Sequence, residues 1–400
     1  MDLKSDHTFW PTYSGLLRSY PSLQKDEICD VIILGGGISG ALIANSLTEE
    51  GLDVVLLDKR DVATGSTSAS TALLQYEIDL PLRELIEQIG REDAERAYWV
   101  CHESIDKLER LLTKLDGDAG FQRKKSVYLA STEEDVPGLE KEFGARQRAG
   151  IAVDLLSASD IASRFSFERP GAILSHQAAE VDSYRLAHLL LARAEKNGAR
   201  IYDRSGMTSY DTSSGEVLVE VEGGWKVQAK HVVFATGYES VEYLPKKVVN
   251  LKSSYALVSE PLQHFEGWWD RALLWETARP YFYMRTTSDN RALFGGMDHP
   301  FRNPISRDAL IPKKKKLLIK KFVELFPRIK LEVAYSWAGT FGETKDGLAY
   351  IGTFPKCPLC YFALGFGGNG ITYSVVAAEM IRDAILGRKN KDAHIFRFDR

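Results

Sequence analysis

Gly35, Gly37 and Gly40 stand at G-x-G-x-x-G spacing directly after the apolar run 30–34, and Asp58 closes a second apolar run, 53–57. Those residue types in that order can hold a dinucleotide. The first glycine permits a tight turn, the second admits a pyrophosphate close to the backbone, and the third lets a helix lie against a strand. Ile38 and Ser39 open the helix expected over 38–50, whose N–H groups and dipole favour negative charge. Asp58, with Lys59 beside it, is placed to accept hydrogen bonds from an adenosine ribose. The glycine spacing alone would mean little; strand, turn, helix, strand and terminal acid in succession read as a complete βαβ unit.

Three more segments carry chemistry of the same kind. The loop 61–71 contains Ser66, Thr67 and Ser68 and is too polar for a core. The buried run 231–234 ends in Ala235-Thr236-Gly237. Near the end of the chain, an apolar run is followed by Gly365-Phe366-Gly367-Gly368-Asn369-Gly370 and a helical pattern from Ile371. A turn of small residues opening a helix aims backbone N–H groups and a dipole at a developing negative charge. Nucleotide-type segments thus occur at the front, in the middle and at the end, as a large cofactor touched by distant segments requires. In the strand-rich stretch 248–296, Tyr281, Tyr283 and Arg285 alternate and face one side. They line a cavity or stand outward on the sheet; Tyr255 is a further candidate by the same argument.

The elements that must position these groups are those of an ordinary α/β protein. The chain has 400 residues, 44% hydrophobic and 26% charged, with a net charge of −4, which argues against nucleic acid as a partner. Lysines 313–316 open a helical pattern and read as its solvated face. No run is apolar enough to span a membrane, and the N-terminus lacks the apolar stretch of a secretory signal. Four scattered cysteines fit a reducing cytoplasm; the Cys357–Cys360 pair, without a second pair, reads as a loop feature, and no metal cluster is expected. Helices are expected over 82–115 (two patterns), near 136–144, and over 183–197 and 315–326. Strands are expected at 126–130, 151–156, 200–202, 217–221, 225–228, 231–234, 254–259, 272–276, 279–285, 291–295, 331–339 and 361–364.

In their order and spacing these motifs resemble the D-amino-acid oxidase superfamily of flavoenzymes, most of all its γ-glutamylputrescine and amine oxidoreductase branch. The resemblance runs from Trp10 and Tyr20-Pro21 through the front glycines, Gly65–Ser70, Val181-Asp182, Ala235-Thr236-Gly237 and YFYMRTTSDNRALFGG to Trp337, the Asp346-Gly347 segment and ALGFGGNGITYS. It implies an α/β fold in two parts. One is a Rossmann-like FAD-binding domain of glutathione-reductase type, formed from 28–115, 165–245 and 338–400 after an arm at 1–27. Interleaved with it is an α+β substrate domain, 116–164 and 246–337, on a mixed, largely antiparallel sheet roofing the flavin.

By the same resemblance Gly35, Gly37, Ile38, Ser39 and Gly40 hold the pyrophosphate and Asp58 and Lys59 the adenosine side. Ser66, Thr67, Ser68, Thr236, Gly237 and Gly339 line the cofactor, and Gly367, Gly368, Asn369, Gly370 and Ile371 face the flavin. The implied chemistry is oxidation of a C–N bond of an amine or amino-acid derivative by hydride transfer to FAD, giving an imine that water hydrolyses; oxygen or another acceptor takes the electrons. Three positions depart from relatives. Phe341 stands where amino-acid oxidases carry a carboxylate-clamping Arg, so Arg285 is left as a replacement. Gly339 stands where sarcosine oxidases attach flavin through Cys, so FAD is expected to be non-covalent. Leu293 stands where an oxygen-activating Lys aligns. Two other readings stay open: a flavin dehydrogenase of a 2-hydroxy acid or polyol phosphate, with His299 as base, and a non-catalytic flavin-binding subunit or sensor.

Overall fold

The computed structural model describes residues 2–244, 247–354 and 357–400. Its first sheet runs Tyr350–Phe354, Cys357–Leu364, Lys226–Phe234, Glu27–Leu34, Val54–Leu57, Arg200–Tyr202, and Val217–Val221 with Met207–Asp211 branches from Lys226–Phe234. Glu27–Leu34 pairs in parallel on both sides, and parallel pairing continues outward to Arg200–Tyr202 and Cys357–Leu364. Its apolar run is continuous because both faces are covered. Val31 and Ile33 pack among the helices, while Ile32 and Leu34 pack with Val219, Phe234 and Phe362. Each such side chain contributes roughly 1.5–3 kcal/mol on burial.

The helix Ile38–Glu49 is buried from Ile38 to Thr48, since Ser183–Lys196 and Gly370–Ile385 both pack on it. A Cβ on Gly40 would lie 1.8 Å from the Gly35 carbonyl oxygen, so helix and turn can approach this closely only at glycine.

The second sheet has the order Val333–Glu343, Asn250–Ser259, Ala292–Pro300, Phe282–Thr286, Leu273–Glu276, Gln122–Leu129, Gly171–Glu180, Leu73–Gln75, with Val153–Ser157 also on Gly171–Glu180. Leu273–Glu276 pairs in parallel with Gln122–Leu129 and the other pairings are antiparallel, so the sheet is mixed and largely antiparallel, as expected. The helix Ile311–Leu325 covers one face with Leu318, Phe322 and Leu325, against Phe294 and Trp268.

Pairing divides the chain differently from the expected segments. Leu73–Gln75 and Gly171–Glu180 lie in stretches assigned to the nucleotide part, yet they belong to the second sheet. Gly171–Glu180 is rich in Ala and buried nearly throughout, so it lacks the alternation that marks a strand. The chain crosses back at Asp182, which caps the helix Ser183–Lys196 by accepting the Tyr184 and Arg185 N–H groups, each at 3.0 Å. The segments read as two strands at 225–228 and 231–234 form one, Lys226–Phe234. In the lysine block, Lys313 and Lys316 are exposed or nearly so, but Lys314 is half-buried and donates to the Met297 carbonyl at 2.5 Å. Among the described residues no helix is long and apolar enough to cross a membrane, and no group of three or more His, Cys, Asp or Glu could hold a metal ion.

Candidate functional site

A cavity lies between the C-terminal ends of the parallel strands and the second sheet, where ligands bind in open α/β sheets. At one end are Gly35, Gly37, Ile38 and Ser39. Gly35 adopts φ +105°, and a Cβ there would meet the Ala235 carbonyl oxygen at 2.5 Å, so the neighbouring strand already demands glycine. Gly37 precedes the helix; a Cβ on it would lie 2.9 Å from Thr67 Oγ1, which accepts the Ile38 N–H at 2.9 Å. Thr67 therefore keeps its hydroxyl proton for a ligand. Gly40 stands behind this wall and acts through helix packing. Ser39 Oγ lies 2.7 Å from Ser374 Oγ, which ties the first turns of Ile38–Glu49 and Gly370–Ile385 together.

Asp58 lines the same end. Its Oδ2 accepts the Gly36 N–H at 2.7 Å and Oδ1 the Arg60 N–H at 2.8 Å. Burial pushes its carboxyl above the usual range while these two donors pull it down. Each oxygen retains a lone pair for a hydroxyl. Lys59 and Arg60 pair with Glu239, at 2.8 and 3.3 Å.

The short helix Ser66–Ala69 forms the next wall. Ser66 Oγ is buried without a partner, as a group awaiting a ligand would be. Ser68 does not face the cavity: it is fully buried and donates to the Thr64 and Gly65 carbonyls, so its expected place along the cofactor gives way to holding the turn. Two indoles named in the sequence only as marks of the resemblance, with no role given to them, fix this loop. Trp10 Nε1 donates to the Ser70 carbonyl at 2.8 Å and Trp337 Nε1 to that of Ala69 at 2.9 Å. Thr236, Gly237 and Gly339 also line the cavity, with Thr236 Oγ1 2.9 Å from Ser240 Oγ.

At the far end Gly367, Gly368, Asn369, Gly370 and Ile371 come to the surface of the cavity. Part of this turn is already engaged. Gly367 N–H donates to the Gly342 carbonyl at 3.1 Å, and Gly368 N–H to Asp79 Oδ2 at 3.0 Å. Asn369 Nδ2 donates to the Gln75 and Glu77 carbonyls at 3.0 and 2.8 Å. The N–H groups open to a ligand are those of the first helical turn at Gly370 and Ile371. A Cβ on Gly370 would meet nothing within 4 Å; the open space there is the cavity itself.

The second sheet supplies the roof. Tyr281 and Tyr283 line it, their rings 5.8 Å apart, with Trp275 and Trp337. Arg285 does not. It is 1% exposed, donates to the Thr71, Val181 and Thr286 carbonyls and lies 3.8 Å from Glu180. It shares the tyrosines' alternation along the strand, but its guanidinium is taken up by these backbone carbonyls and does not line the cavity. The guanidinium on the cavity wall beside these tyrosines is that of Arg279, stacked 5.1 Å over the Tyr281 ring; Arg60 lines the other end. Tyr255 is buried and donates to the Arg307 carbonyl away from the cavity, His299 is exposed elsewhere, and Leu293 is core. Phe341 lines the wall.

Two acids of the wall were missed. Glu77 Oε1 accepts from Ser175 at 2.6 Å and from Arg146 at 3.2 Å, and Arg146 also donates to Glu142 at 2.7 Å. Burial pushes the Glu77 carboxyl up against the pull of Arg146. Asp79 follows in the same segment. Neither belongs to a motif; only their places in and just after an alternating run, 73–78, could have drawn notice.

A family model described as DAO, FAD dependent oxidoreductase, matches residues 30–384 of the chain. The chain is 24% identical over 403 residues to gamma-glutamylputrescine oxidoreductase of Escherichia coli (strain K12), covering 96% of this chain and 90% of that protein. Among solved structures it is similar to glycine oxidase from Geobacillus kaustophilus, with TM-score 0.76, 23% identity and coverage of 91% of this chain and 96% of that one. L-proline dehydrogenase from P. horikoshii superposes with TM-score 0.78 at 18% identity, covering 94% and 98%.

Proposed function

The chain belongs to the DAO family of FAD dependent oxidoreductases, and on that premise we propose that it oxidises a C–N bond of an amine or amino-acid derivative to an imine that water hydrolyses. The observation that carries this reading is the joining of two helix N-termini, at Ile38 and Gly370, in one cavity under an aromatic roof. FAD fits the residues present. The unpartnered Ser66 hydroxyl and the open space at Gly370 are places for its polar atoms, and Asp58 retains acceptor capacity for its ribose. Asp58 would hold the adenosine side, Gly37, Ile38, Ser66 and Thr67 the pyrophosphate, and Gly370 and Ile371 the ring system. Gly339 offers no thiol, and neither Cys nor His lines the cavity among the described residues, which supports a non-covalent attachment.

FAD held by these residues would supply a hydride acceptor for the carbon that carries the nitrogen. The protein's own contribution is position and electrostatics. Gly370 and Ile371 present N–H groups and the positive end of the helix Gly370–Ile385 where negative charge develops. Tyr281, Tyr283, Trp275 and Trp337 keep the reacting carbon in an apolar, water-poor space. Oxygen or another acceptor would take the electrons. The base named for the hydroxy-acid reading, His299, is exposed outside the cavity. The two tyrosines, Asp79 and Arg279 on one wall support turnover of a small polar molecule over a flavin-binding role without chemistry. A cytoplasmic location belongs to the same proposal and rests on four free cysteines.

The test is an anaerobic titration of the purified yellow protein with amines, N-alkylated and acylated polyamines, amino acids and 2-hydroxy acids, followed by air. Bleaching of the flavin's visible band by an amine or amino acid supports the proposal, and the rate of recolouring separates oxygen from other acceptors. Bleaching by hydroxy acids alone refutes it.

A further inference from the structure

We infer that Asp79 is the cation-binding residue of the substrate pocket, its Oδ1 receiving a protonated nitrogen of the substrate beside the Tyr281 hydroxyl. The inference rests on the reading that this cavity takes an amine, and it names the feature by which the amine is selected.

The carboxylate is held in a fixed orientation. Its Oδ2 accepts the Gly368 N–H at 3.0 Å. A Cβ on Gly367, at φ +53°, would lie 2.1 Å from that oxygen, and one on Gly368 would lie 3.2 Å from Oδ1. These two glycines therefore make room for Asp79. Oδ1 has no protein partner among the described residues, and it faces a place already flanked by a donor. A Cβ on Gly368 would also lie 3.3 Å from the Tyr281 hydroxyl, so Oδ1 and that hydroxyl flank the same point of the turn.

The surrounding charges leave this acid short of a cation. Arg279, the nearest guanidinium on the wall, is stacked on the Tyr281 ring and donates to the Glu276, Thr277 and Ala278 carbonyls of its own loop at 3.3–3.4 Å. It reaches the Asp79 backbone carbonyl at 3.5 Å, but among the described residues Asp79 makes no ion pair within 4 Å. Lys252 lies on the favourable side and Glu343 on the unfavourable one, and burial pushes the Asp79 carboxyl above its ordinary range. A carboxylate in an aromatic cavity with one oxygen unbonded gains most from a ligand that brings both a charge and N–H donors. A substrate ammonium is that ligand, and an anionic group at the same place would meet a like charge.

The test uses the FAD-loaded protein under anaerobic conditions and three probes of one shape: tert-butylammonium, tert-butanol and pivalate. The first has no hydrogen on the carbon that bears nitrogen, so it binds without being oxidised. Binding is read by calorimetry and by perturbation of the flavin spectrum. The wild-type protein is expected to bind tert-butylammonium in preference to the other two, and Asp79→Asn to weaken that binding by at least about tenfold while leaving tert-butanol unchanged. Equal binding of tert-butylammonium by Asp79→Asn, or a wild-type preference for pivalate that Arg279→Ala removes, overturns the inference. Should Asp79→Asn fail to retain FAD, the wild-type order of the three probes decides by itself. If tert-butylammonium binds through Asp79 but no amine bleaches the flavin, the proposed reaction fails and the cation site stands. If amines bleach wild type and Asp79→Asn with equal KM, the site fails and the reaction stands.

Discussion

Replacing Asp298 by Asn should make the protein more stable above neutral pH. Asp298 lies in the strand Ala292–Pro300, where the pairing with Asn250–Ser259 is irregular between Ser253 and Tyr255 and Met297 takes φ +56°. Its Oδ1 is buried without a partner. Burial raises the carboxyl from 3.8 to about 6. The Ser254 hydroxyl and Lys252 oppose the rise, while Asp79 and Glu343 add to it; Tyr255, Tyr281, Tyr283 and Lys314 also face the group.

The folded protein thus holds a proton between pH ~4 and ~6 that the unfolded chain has released, so stability falls as pH rises through this window. A carboxyl raised from 3.8 to about 6 costs the folded state about 3 kcal/mol once it is ionised, and partial solvent contact reduces this to about 1–2 kcal/mol at pH 8. Asn keeps the shape and cannot ionise. For a chain of this length the gain raises the melting temperature by about 1–3 °C. Thermal unfolding of the FAD-loaded proteins, followed by tryptophan fluorescence at pH 4.5 and pH 8, measures it. A variant no more stable than wild type at pH 8, or one that gains as much at pH 4.5, would refute the reasoning.

Gly40→Ala places a Cβ 1.8 Å from the Gly35 carbonyl oxygen; it should cost about 1–3 kcal/mol and release FAD, read as the flavin-to-protein absorbance ratio. Gly370→Ala meets no protein atom within 4 Å, so the apoprotein should melt at or above the wild-type temperature while FAD affinity falls about tenfold; unchanged affinity in a titration would place the cofactor elsewhere. Arg146→Ala leaves Glu77 and Glu142 buried without their cation and should destabilise by about 3–5 kcal/mol, measured by urea unfolding.

The amino-acid sequence by itself determined the βαβ unit at the front, the polar loop at 61–71 and the glycine turn before the last helix, because each is a local pattern of residue types. It also pointed to Tyr281 and Tyr283, since alternation along one strand is local too. Tertiary structure alone decided the rest. Arg285 satisfies the same alternation as the tyrosines, yet the Thr71 and Val181 carbonyls, supplied by elements far away in the chain, take up its guanidinium and keep it off the cavity wall. Ser68 and Thr67 are adjacent in one loop; which of them faces the ligand depends on the helix Ile38–Glu49 docking against that loop. Gly367 reads as a glycine freed for a cofactor, but the atom that forbids a side chain there belongs to Asp79, nearly three hundred residues earlier in the chain. Asp79 itself carries no motif and acquires its chemistry from being brought beside Gly368 and Tyr281, a juxtaposition that no spacing along the chain encodes.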